Sequence, residues 1–165
     1  MIIRKLQPND ASKLLIFLKQ LDSEQDFMMY EARERKTSLE EMSSYIENIN
    51  NSGSLILAAE ADNSIVGFLT AEKGFVKRIQ HSAYIVTGII KDYWGKGIGT
   101  RLFEELDKWA VNNQITRLEL TVMCNNKAAI ALYKKMGFVI EGIKKNSIII
   151  NSHYIDEYYM AKLLI

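Results

Sequence analysis

Cysteine and proline are almost absent from this chain, which has one residue of each in 165. Because Cys124 is the single cysteine, an intrachain disulfide framework is excluded. Pro8 is the only proline, and no stretch rich in proline or glycine separates two halves of the sequence. We therefore expect residues 1–165 to form one domain without an internal linker.

An excess of one charge sign is also lacking, since 21 Lys and Arg against 20 Asp and Glu give a formal net charge of +1. This balance gives no electrostatic reason to expect nucleic acid or an anionic membrane as the main partner. No window approaches the ~18 consecutive apolar residues of a membrane span. The first residues, Met1–Leu6, become charged too early for the apolar region of a signal peptide. A reducing cytoplasm is the expected location.

Apolar residues make up 48% of the chain, enough for one substantial core. Their spacing predicts helices that begin after Pro8-Asn9-Asp10, at the Ser38/Glu41 capping box, near Ile98 and at Lys127. The predicted strands are Ile2–Leu6, Leu55–Ala59, Ile65–Ala71, Tyr84–Ile90, Leu118–Val122, Phe138–Lys145 and Tyr154–Leu164. Strands flanked by helices in this way indicate an α/β domain with a mixed sheet.

The most informative segment is glycine-rich and lies between a predicted strand and a predicted helix, at residues 93–102 (YWGKGIGTRL). Glycines allow close approach to a bulky ligand, and the first helical turn offers unpaired N–H groups to a phosphate. A P-loop is excluded because no Lys-Ser/Thr pair follows the last glycine, and a Rossmann fingerprint is excluded because Thr100 replaces its final glycine. The alternative to a phosphate site is a tight strand-to-helix turn without a ligand.

Two motifs carry a resemblance to a known family. Residues 95–100 (GKGIGT) resemble the coenzyme A loop of the GNAT superfamily, Gln/Arg-x-x-Gly-x-Gly/Ala, with Gly97 and Gly99 matching and Trp94 departing from the Gln/Arg position. Residues 126–138 (NKAAIALYKKMGF) resemble the second signature, Asn-x-x-Ala-x-x-Leu-Tyr-x-x-x-Gly-Phe, at every specified position. The tail at 150–160 resembles ribosomal-protein and polyamine acetyltransferases of this superfamily.

The resemblance implies a single GNAT domain with a mixed, mostly antiparallel sheet of about six or seven strands and about four helices. It implies an N-acetyltransferase that moves an acetyl group from acetyl-CoA to a primary amine by direct attack in a ternary complex. The amine would belong to a small molecule, a polyamine or the N-terminus of a peptide or protein. Acetyl-CoA would be the co-substrate, no metal would take part, and a homodimer is allowed.

The resemblance also implies roles for particular residues. Tyr133 would stand near the coenzyme sulfur and protonate the leaving thiolate as general acid, which suits a phenol with a pKa near ~10 and a thiol near ~8.5. A main-chain N–H near Gly88 or Ile89 would stabilise the negative charge on the thioester oxygen. The remaining coenzyme contacts are expected from Gly95, Lys96, Gly97, Ile98, Gly99, Thr100 and Asn126.

The general base is open at this stage. Some family members have a glutamate on the strand before Asn126, where this chain has Thr121. Glu72 and His81, which flank the strand entering the site, are the candidate bases, and a water chain is the alternative to both. A second function from another class is an acyl-CoA-binding regulatory module without turnover, which would have no evident need for Tyr133.

Overall fold

The computed structural model describes residues 1–165 throughout. Its helices are α1 (Ala11–Glu24), α2 (Leu39–Asn51), α3 (Ile98–Asn112) and α4 (Lys127–Lys135). Its strands are β1 (Ile2–Lys5), β2 (Leu55–Ala61), β3 (Ser64–Lys73), β4 (Ser82–Ile89), β5 (Arg117–Met123), β6 (Val139–Ile150) and β7 (His153–Leu163). Short 3-10 turns at Pro8–Asp10 and Lys91–Tyr93 precede α1 and the glycine-rich loop.

All seven strands form one sheet in the order β1-β2-β3-β4-β5-β7-β6. Every neighbouring pair is antiparallel except β4 and β5, which are parallel. The predicted GNAT fold, a mixed and mostly antiparallel sheet with about four helices, is therefore confirmed. β6 runs on to Ile150 instead of ending near Lys145, because β7 folds back along it and pairs His153 with Ile150.

Helices cover both faces of the sheet. Leu21 of α1 lies against Gly88 on one face, and Ile98 of α3 lies against Gly67 on the other. α4 packs on α3, where Leu132 contacts Gly99. A cluster of 36 buried apolar residues fills both layers. We call the side covered by α1 and α2 the α1 face, and the side covered by α3 and α4 the α3 face.

Local interactions fix the starts of the first two helices. Ser38 and Glu41 form the predicted capping box, with Glu41 N donating to Ser38 Oγ at 3.1 Å and Ser38 N donating to Glu41 Oε2 at 2.8 Å. Before α1, the carboxylate of the buried Asp10 accepts hydrogen bonds from both terminal nitrogens of Arg4, each at 2.8 Å, and from the main-chain N–H of Gln7 at 2.8 Å. These contacts tie β1 to the first helix.

Candidate active site

The loop between β4 and α3 presents a row of main-chain N–H groups. Gly95 and Gly97 have φ of +70° and +77°, a conformation that other residues rarely adopt. No N–H from residue 95 to residue 100 has an acceptor in the protein, and the first helical bond runs from Arg101 N to Gly97 O at 3.1 Å. A Cβ added at either glycine would meet no protein atom within 4 Å. Open space, free N–H groups and a helix start together fit a phosphate-bearing group.

The side chains of this loop divide between solvent and core. The Lys96 ammonium stands 4.5 Å from the centre of the Tyr93 ring. The Thr100 hydroxyl accepts a hydrogen bond from Lys135 Nζ of α4 at 3.2 Å, which brings a second ammonium to the helix start. The side chain of Ile98 is buried in the core, so this residue can contact a ligand at the loop only through its free main-chain N–H. Positive charge and main-chain donors therefore lie side by side.

A gap opens between the two parallel strands, β4 and β5, next to this loop. The strands pair only at Ser82–Arg117, Ala83–Leu118 and Tyr84–Glu119, although β4 continues to Ile89 and β5 to Met123. Beyond Tyr84 the two strands diverge, and their facing main-chain groups have no partner strand. The unpaired part of β4 ends at Ile89, shortly before the glycine-rich loop.

The register of β4 decides which of its N–H groups face the gap. Ser82 O accepts from Gly74 N and Ile90 N donates to Val66 O, so the even-numbered residues of this strand bond to β3. In an antiparallel strand the N–H and C=O of one residue both point to one side, and those of the next residue both point to the other side. The main-chain groups of Ile89 therefore point away from β3 and towards the gap. The Trp94 indole N–H donates to Ile89 O at 2.7 Å, in agreement with this register.

Of the two residues expected to supply the N–H for the thioester oxygen, the register therefore favours Ile89. The N–H of Gly88 faces β3 instead. A Cβ at Gly88 would lie 2.5 Å from Leu21 Cδ2, 3.3 Å from the Phe68 ring and 3.4 Å from the Met28 sulfur. Gly88 is thus required for packing under α1 and the loop after it.

Tyr133 lies at the junction of α3, α4 and the sheet. Its ring is 7% exposed and packs against Phe103 and Phe138, with ring centroids 5.6 Å and 6.1 Å away. Its hydroxyl has no hydrogen-bond partner in the protein, yet no buried side-chain oxygen or nitrogen is left unpaired, so this hydroxyl reaches open space. Burial raises the pKa of Tyr133 well above its ordinary value, with a further contribution from Tyr84. The group therefore holds its proton firmly.

Asn126 caps α4 as the motif predicts, with its side-chain oxygen accepting from Ala129 N at 3.2 Å. The two motifs meet in one contact. A Cβ at Gly99 would lie 2.6 Å from Leu132 Cδ2, so the glycine lets α3 and α4 approach closely. Because Leu132 precedes Tyr133, this contact fixes the catalytic candidate relative to the phosphate loop.

A pair of hydroxyl groups that sequence reasoning missed lies at the inner end of the gap. Tyr84 Oη and Thr121 Oγ1 are 2.8 Å apart, which joins β4 to β5 just beyond their last paired residues. Both residues line a groove of about 400 Å³ that continues over β5 and β7. Thr121 occupies the position at which some family members have a glutamate, and here it bonds to a tyrosine.

A second cavity of about 350 Å³ lies on the α1 face, between α1, α2, the loop joining them and the strands β3 and β4. Glu72 lies in its wall and accepts a hydrogen bond from the Tyr45 hydroxyl at 3.1 Å. Burial raises the pKa of Tyr45, and the neighbouring Glu72 raises it further. Most of the lining is apolar or aromatic: Leu14, Leu18, Met28, Met29, Tyr30, Met42, Tyr45, Ile56, Phe68 and Val86.

One cation also lines this cavity. Arg35 binds Asp22 through Nε at 2.7 Å and Nη2 at 3.1 Å, and its guanidinium lies 4.4 Å from the centre of the Tyr30 ring. The Asp22 side chain is only 1% exposed and the Arg35 side chain 12%. The Nη1 atom of Arg35 has no hydrogen-bond partner in the protein, so one edge of the guanidinium remains free for a ligand.

The structure does not bring His81 to the gap. His81 is exposed and precedes β4 at the end where β4 and β5 are paired, with its carbonyl accepting from Thr116 and Arg117. At about 3.3 Å per residue, the length of β4 places it ~26 Å from Ile89. Of the two candidate bases, only Glu72 lines a cavity that adjoins β4.

No group of three or more His, Cys, Asp or Glu side chains is arranged to hold a metal ion. None of the helices combines the length and the apolar character needed to cross a membrane. The expectations that no metal takes part and that the protein is cytoplasmic stay predictions.

Comparison with known proteins identifies the class of this fold and site. The model of the acetyltransferase (GNAT) family matches residues 18–138, which is most of the chain. The chain therefore belongs to the GNAT acetyltransferase family and is an acyl-CoA-dependent N-acyltransferase. The resemblance inferred from the two motifs is confirmed.

Individual relatives span different acceptors. The chain is 35% identical over 111 residues to the L-amino acid N-acetyltransferase AaaT of Escherichia coli K12, covering 65% of this chain and 67% of that one. It is 27% identical over 152 residues to spermidine N(1)-acetyltransferase of the same organism, covering 91% and 80%. The crystal structure of a GNAT-family acetyltransferase from Streptococcus pneumoniae matches with a TM-score of 0.94 and 34% identity, covering 99% of each chain.

Proposed function

We propose that this protein transfers the acetyl group of acetyl-CoA to the primary amine of a small molecule by direct attack. The observation that carries the proposal is the gap between β4 and β5. The row of free N–H groups at residues 95–100 lies at its open end, and the unpartnered hydroxyl of Tyr133 belongs to α4, which contacts the start of α3 through Leu132 and Gly99. A phosphate-bearing arm with a reactive thioester at its tip needs donors at one end and an acid at the other.

The residues that would hold acetyl-CoA can be named from these contacts. The N–H groups of residues 95–100 and the ammonium groups of Lys96 and Lys135 would bind its phosphates. Asn126 holds the start of α4, and the main chain of Ile89 lines the gap. When bound, acetyl-CoA supplies an acetyl group activated as a thioester.

The reaction divides among few groups of the protein. The lone pair of the neutral amine forms the new N–C bond while the C–S bond breaks and its electron pair goes to sulfur. The N–H of Ile89 stabilises the charge that develops on the carbonyl oxygen. Tyr133 donates its proton to the sulfur, and the amine loses its proton to a base, which releases it to solvent. A proton taken up from solvent then restores Tyr133.

The raised pKa of Tyr133 suits this role only if the thiol pKa is raised as well. A phenol with a pKa near ~10 already lies above a thiol near ~8.5, and burial widens the difference if it acts on the phenol alone. A thiolate in the same apolar surroundings loses solvation too, so its pKa rises in the same direction. The two pKa values are therefore kept within reach of each other.

For the base, Glu72 is our proposal. It lines the acceptor cavity and binds the hydroxyl of Tyr45, whereas His81 is exposed at the far end of β4. Phe68, the β3 partner of Gly88, lines the same cavity, so the cavity extends from Glu72 along the strands to the residue before Ile89. An ammonium entering the cavity would find one carboxylate there without a cationic partner.

The lining of the cavity favours an amino acid with an apolar side chain over a polyamine. Glu72 is the single carboxylate in the wall, whereas a polyamine carries several positive charges. The free edge of Arg35 suits a carboxylate. Met28, Met42 and Phe68 suit an apolar side chain. The similarity to AaaT, an L-amino acid N-acetyltransferase, supports the same choice.

The test is release of coenzyme A from acetyl-CoA in the presence of methionine, phenylalanine, lysine, spermidine and a short peptide. We expect release with the apolar amino acids, at a kcat/KM at least ~10-fold above that for spermidine, since one buried charge contact is worth roughly this much. Arg35→Gln should raise KM for the amino acids without changing acetyl-CoA affinity. Binding of acetyl-CoA without transfer to any amine would refute the enzyme and support a binding module.

A further inference from the structure

We propose that Trp94 is a positioning residue for the reaction. Its indole N–H holds the carbonyl of Ile89, and this bond both fixes the residue whose N–H stabilises the thioester oxygen and offsets the negative charge beside that oxygen. The inference rests on the proposed function, because it concerns the same N–H donor. Trp94 stands where the family pattern has Gln or Arg, so neither motif assigns it a role.

Ile89 is held on every side except one. Its side chain lies beside Gly99, where an added Cβ would be 3.6 Å from Ile89 Cδ1. The N–H of the next residue, Ile90, donates to Val66 O at 3.1 Å. The carbonyl of Ile89 accepts from Trp94 Nε1 at 2.7 Å. The group of Ile89 left without a protein partner is its N–H, which the strand register directs into the gap.

The short turn between Ile89 and the glycine-rich loop places the indole. Trp94 N donates to Lys91 O at 3.0 Å, and Lys91 N donates to Glu24 Oε2 at the end of α1 at 2.9 Å. The main chain of Trp94 is therefore fixed, and its side chain folds back to the strand although 46% of the residue is exposed. Because β5 has diverged from β4 at this point, no neighbouring strand replaces the indole at the carbonyl of Ile89.

The direction of the main-chain groups gives this bond its chemical consequence. The N–H and C=O of one strand residue point to the same side, so an oxygen bound to the N–H of Ile89 lies beside the carbonyl oxygen of the same residue. As the amine attacks, negative charge develops on the bound oxygen and is repelled by that carbonyl. Donation from the Trp94 indole offsets part of the charge on the carbonyl, and the benefit is greatest in the transition state, where the developing charge is largest.

Two substitutions separate the N–H donor from the aromatic ring. Trp94→Phe keeps an aromatic ring and loses the N–H. Trp94→Gln loses the ring and keeps an N–H, because the amide nitrogen of glutamine is separated from Cα by the same number of bonds as the indole nitrogen. Trp109→Phe makes the same aromatic change at the other tryptophan, which is buried in α3, and is the matched control.

The first measurement is kcat for the preferred amine, together with the Kd of acetyl-CoA by calorimetry. In Trp94→Phe we expect kcat to fall ~5- to 10-fold, about the contribution of one net hydrogen bond and less than the loss of a direct oxyanion donor. The Kd of acetyl-CoA should stay within ~2-fold, because the charge develops only in the transition state. Trp94→Gln should recover kcat to within ~3-fold of the unmodified protein, and Trp109→Phe should leave it unchanged.

The second measurement is amide hydrogen exchange, which can be made without acetyl-CoA. Exchange at Ile90 should be faster in Trp94→Phe, because the peptide unit between Ile89 and Ile90 loses one of its two hydrogen bonds. The N–H of Gly74, which donates to Ser82 O at 2.9 Å at the other end of the β3–β4 ladder, is the internal control. Addition of acetyl-CoA to the unmodified protein should leave the Trp94 indole N–H protected from exchange.

Each result bears on one step of the inference. Unchanged kcat in Trp94→Phe would overturn the role, and equal losses in Trp94→Phe and Trp94→Gln would overturn its assignment to the N–H. Unchanged exchange at Ile90, or loss of indole protection when acetyl-CoA binds, would overturn the link through Ile89. If the unmodified protein transfers acetyl to no amine, the proposed function fails as well, and the exchange difference at Ile90 is then structural only.

Discussion

Tyr133→Phe removes one oxygen atom from the centre of the candidate site and leaves the ring. In the structure that oxygen has no hydrogen-bond partner in the protein, and it reaches open space rather than the packed core. The substitution therefore leaves no protein donor or acceptor unpaired. Its effect on folding and its effect on catalysis can be measured separately.

The expected change in stability is small. The contacts of the ring with Phe103 and Phe138, at centroid distances of 5.6 Å and 6.1 Å, are retained by phenylalanine. Without a lost hydrogen bond, the free energy of unfolding should stay within ~0.5 kcal/mol of the unmodified protein. Tyr133→Ala would instead remove the aromatic packing and cost about 3–5 kcal/mol.

The expected change in rate is large. A positioned general acid contributes 10²- to 10⁴-fold, so kcat should fall by ~10²-fold or more, equivalent to at least ~3 kcal/mol in the activation barrier. The raised pKa of Tyr133 adds a pH criterion. The acid must be protonated to act, and a raised pKa keeps it protonated at higher pH. We therefore expect that kcat of the unmodified protein shows, through pH ~10, no decline of the kind that loss of the Tyr133 proton would cause and that Tyr133→Phe would abolish.

The assay combines kcat for the preferred amine, acetyl-CoA affinity by calorimetry and chemical unfolding of the same preparations. Lower kcat with unchanged affinity and unchanged unfolding would support the acid role. Full turnover in Tyr133→Phe would refute it, and water would then have to protonate the thiolate. A large loss of stability would refute the statement that the hydroxyl makes no structural contact.

Three further substitutions test other parts of the molecule. Glu72→Gln should lower kcat/KM for the amine by ~10²-fold and leave the Kd of acetyl-CoA unchanged; an unaltered pH–rate profile would exclude Glu72 as the base. Gly97→Ala should cost about 1–2 kcal/mol in the free energy of unfolding, because its φ of +77° is strained for alanine, and should weaken acetyl-CoA binding in calorimetry; unaltered binding would count against the phosphate loop. Asp10→Asn should cost about 2–3 kcal/mol at pH 7 in chemical unfolding. The pKa of Asp10 is lowered, chiefly by its bonds to Arg4, so this contribution is fully present above the ordinary carboxyl pKa and is lost as pH falls through the lowered pKa of the folded state; a stability difference that did not shrink as pH falls below the ordinary carboxyl pKa would contradict the assignment.

The parts of the site that the sequence predicted are those encoded in contiguous segments. The glycine-rich loop, the Asn126 cap and Tyr133 each depend on spacing within one strand–helix or helix–strand unit, where local geometry follows from residue order. For the same reason the capping box at Ser38 was predictable, and its two hydrogen bonds are present at 2.8 Å and 3.1 Å.

The parts that the sequence did not predict depend on strand register and on contacts between distant segments. Glu72 and His81 both lie close to β4 along the chain. The short pairing of β4 with β5 decides which end of β4 borders the gap, and this pairing cannot be read from the local sequence. The bond between Tyr84 and Thr121 likewise requires the parallel register, and nothing in either local segment indicates it. The ion pair of Arg35 with Asp22 depends on how the loop after α1 folds back.

The spacing of the two motifs has a physical basis in the packing of α3 on α4. Gly99, which belongs to the coenzyme motif, has no room for a Cβ because Leu132 of the second motif would lie 2.6 Å away. The free N–H groups at the start of α3 and the hydroxyl of Tyr133, one residue after Leu132, are therefore held on two helices in direct contact. A coenzyme bound by its phosphates at one point and protonated on sulfur at another needs a fixed distance between them. In the proposed reaction, the Gly99–Leu132 contact would supply that distance, because it holds the start of α3 against α4 at the edge of the core.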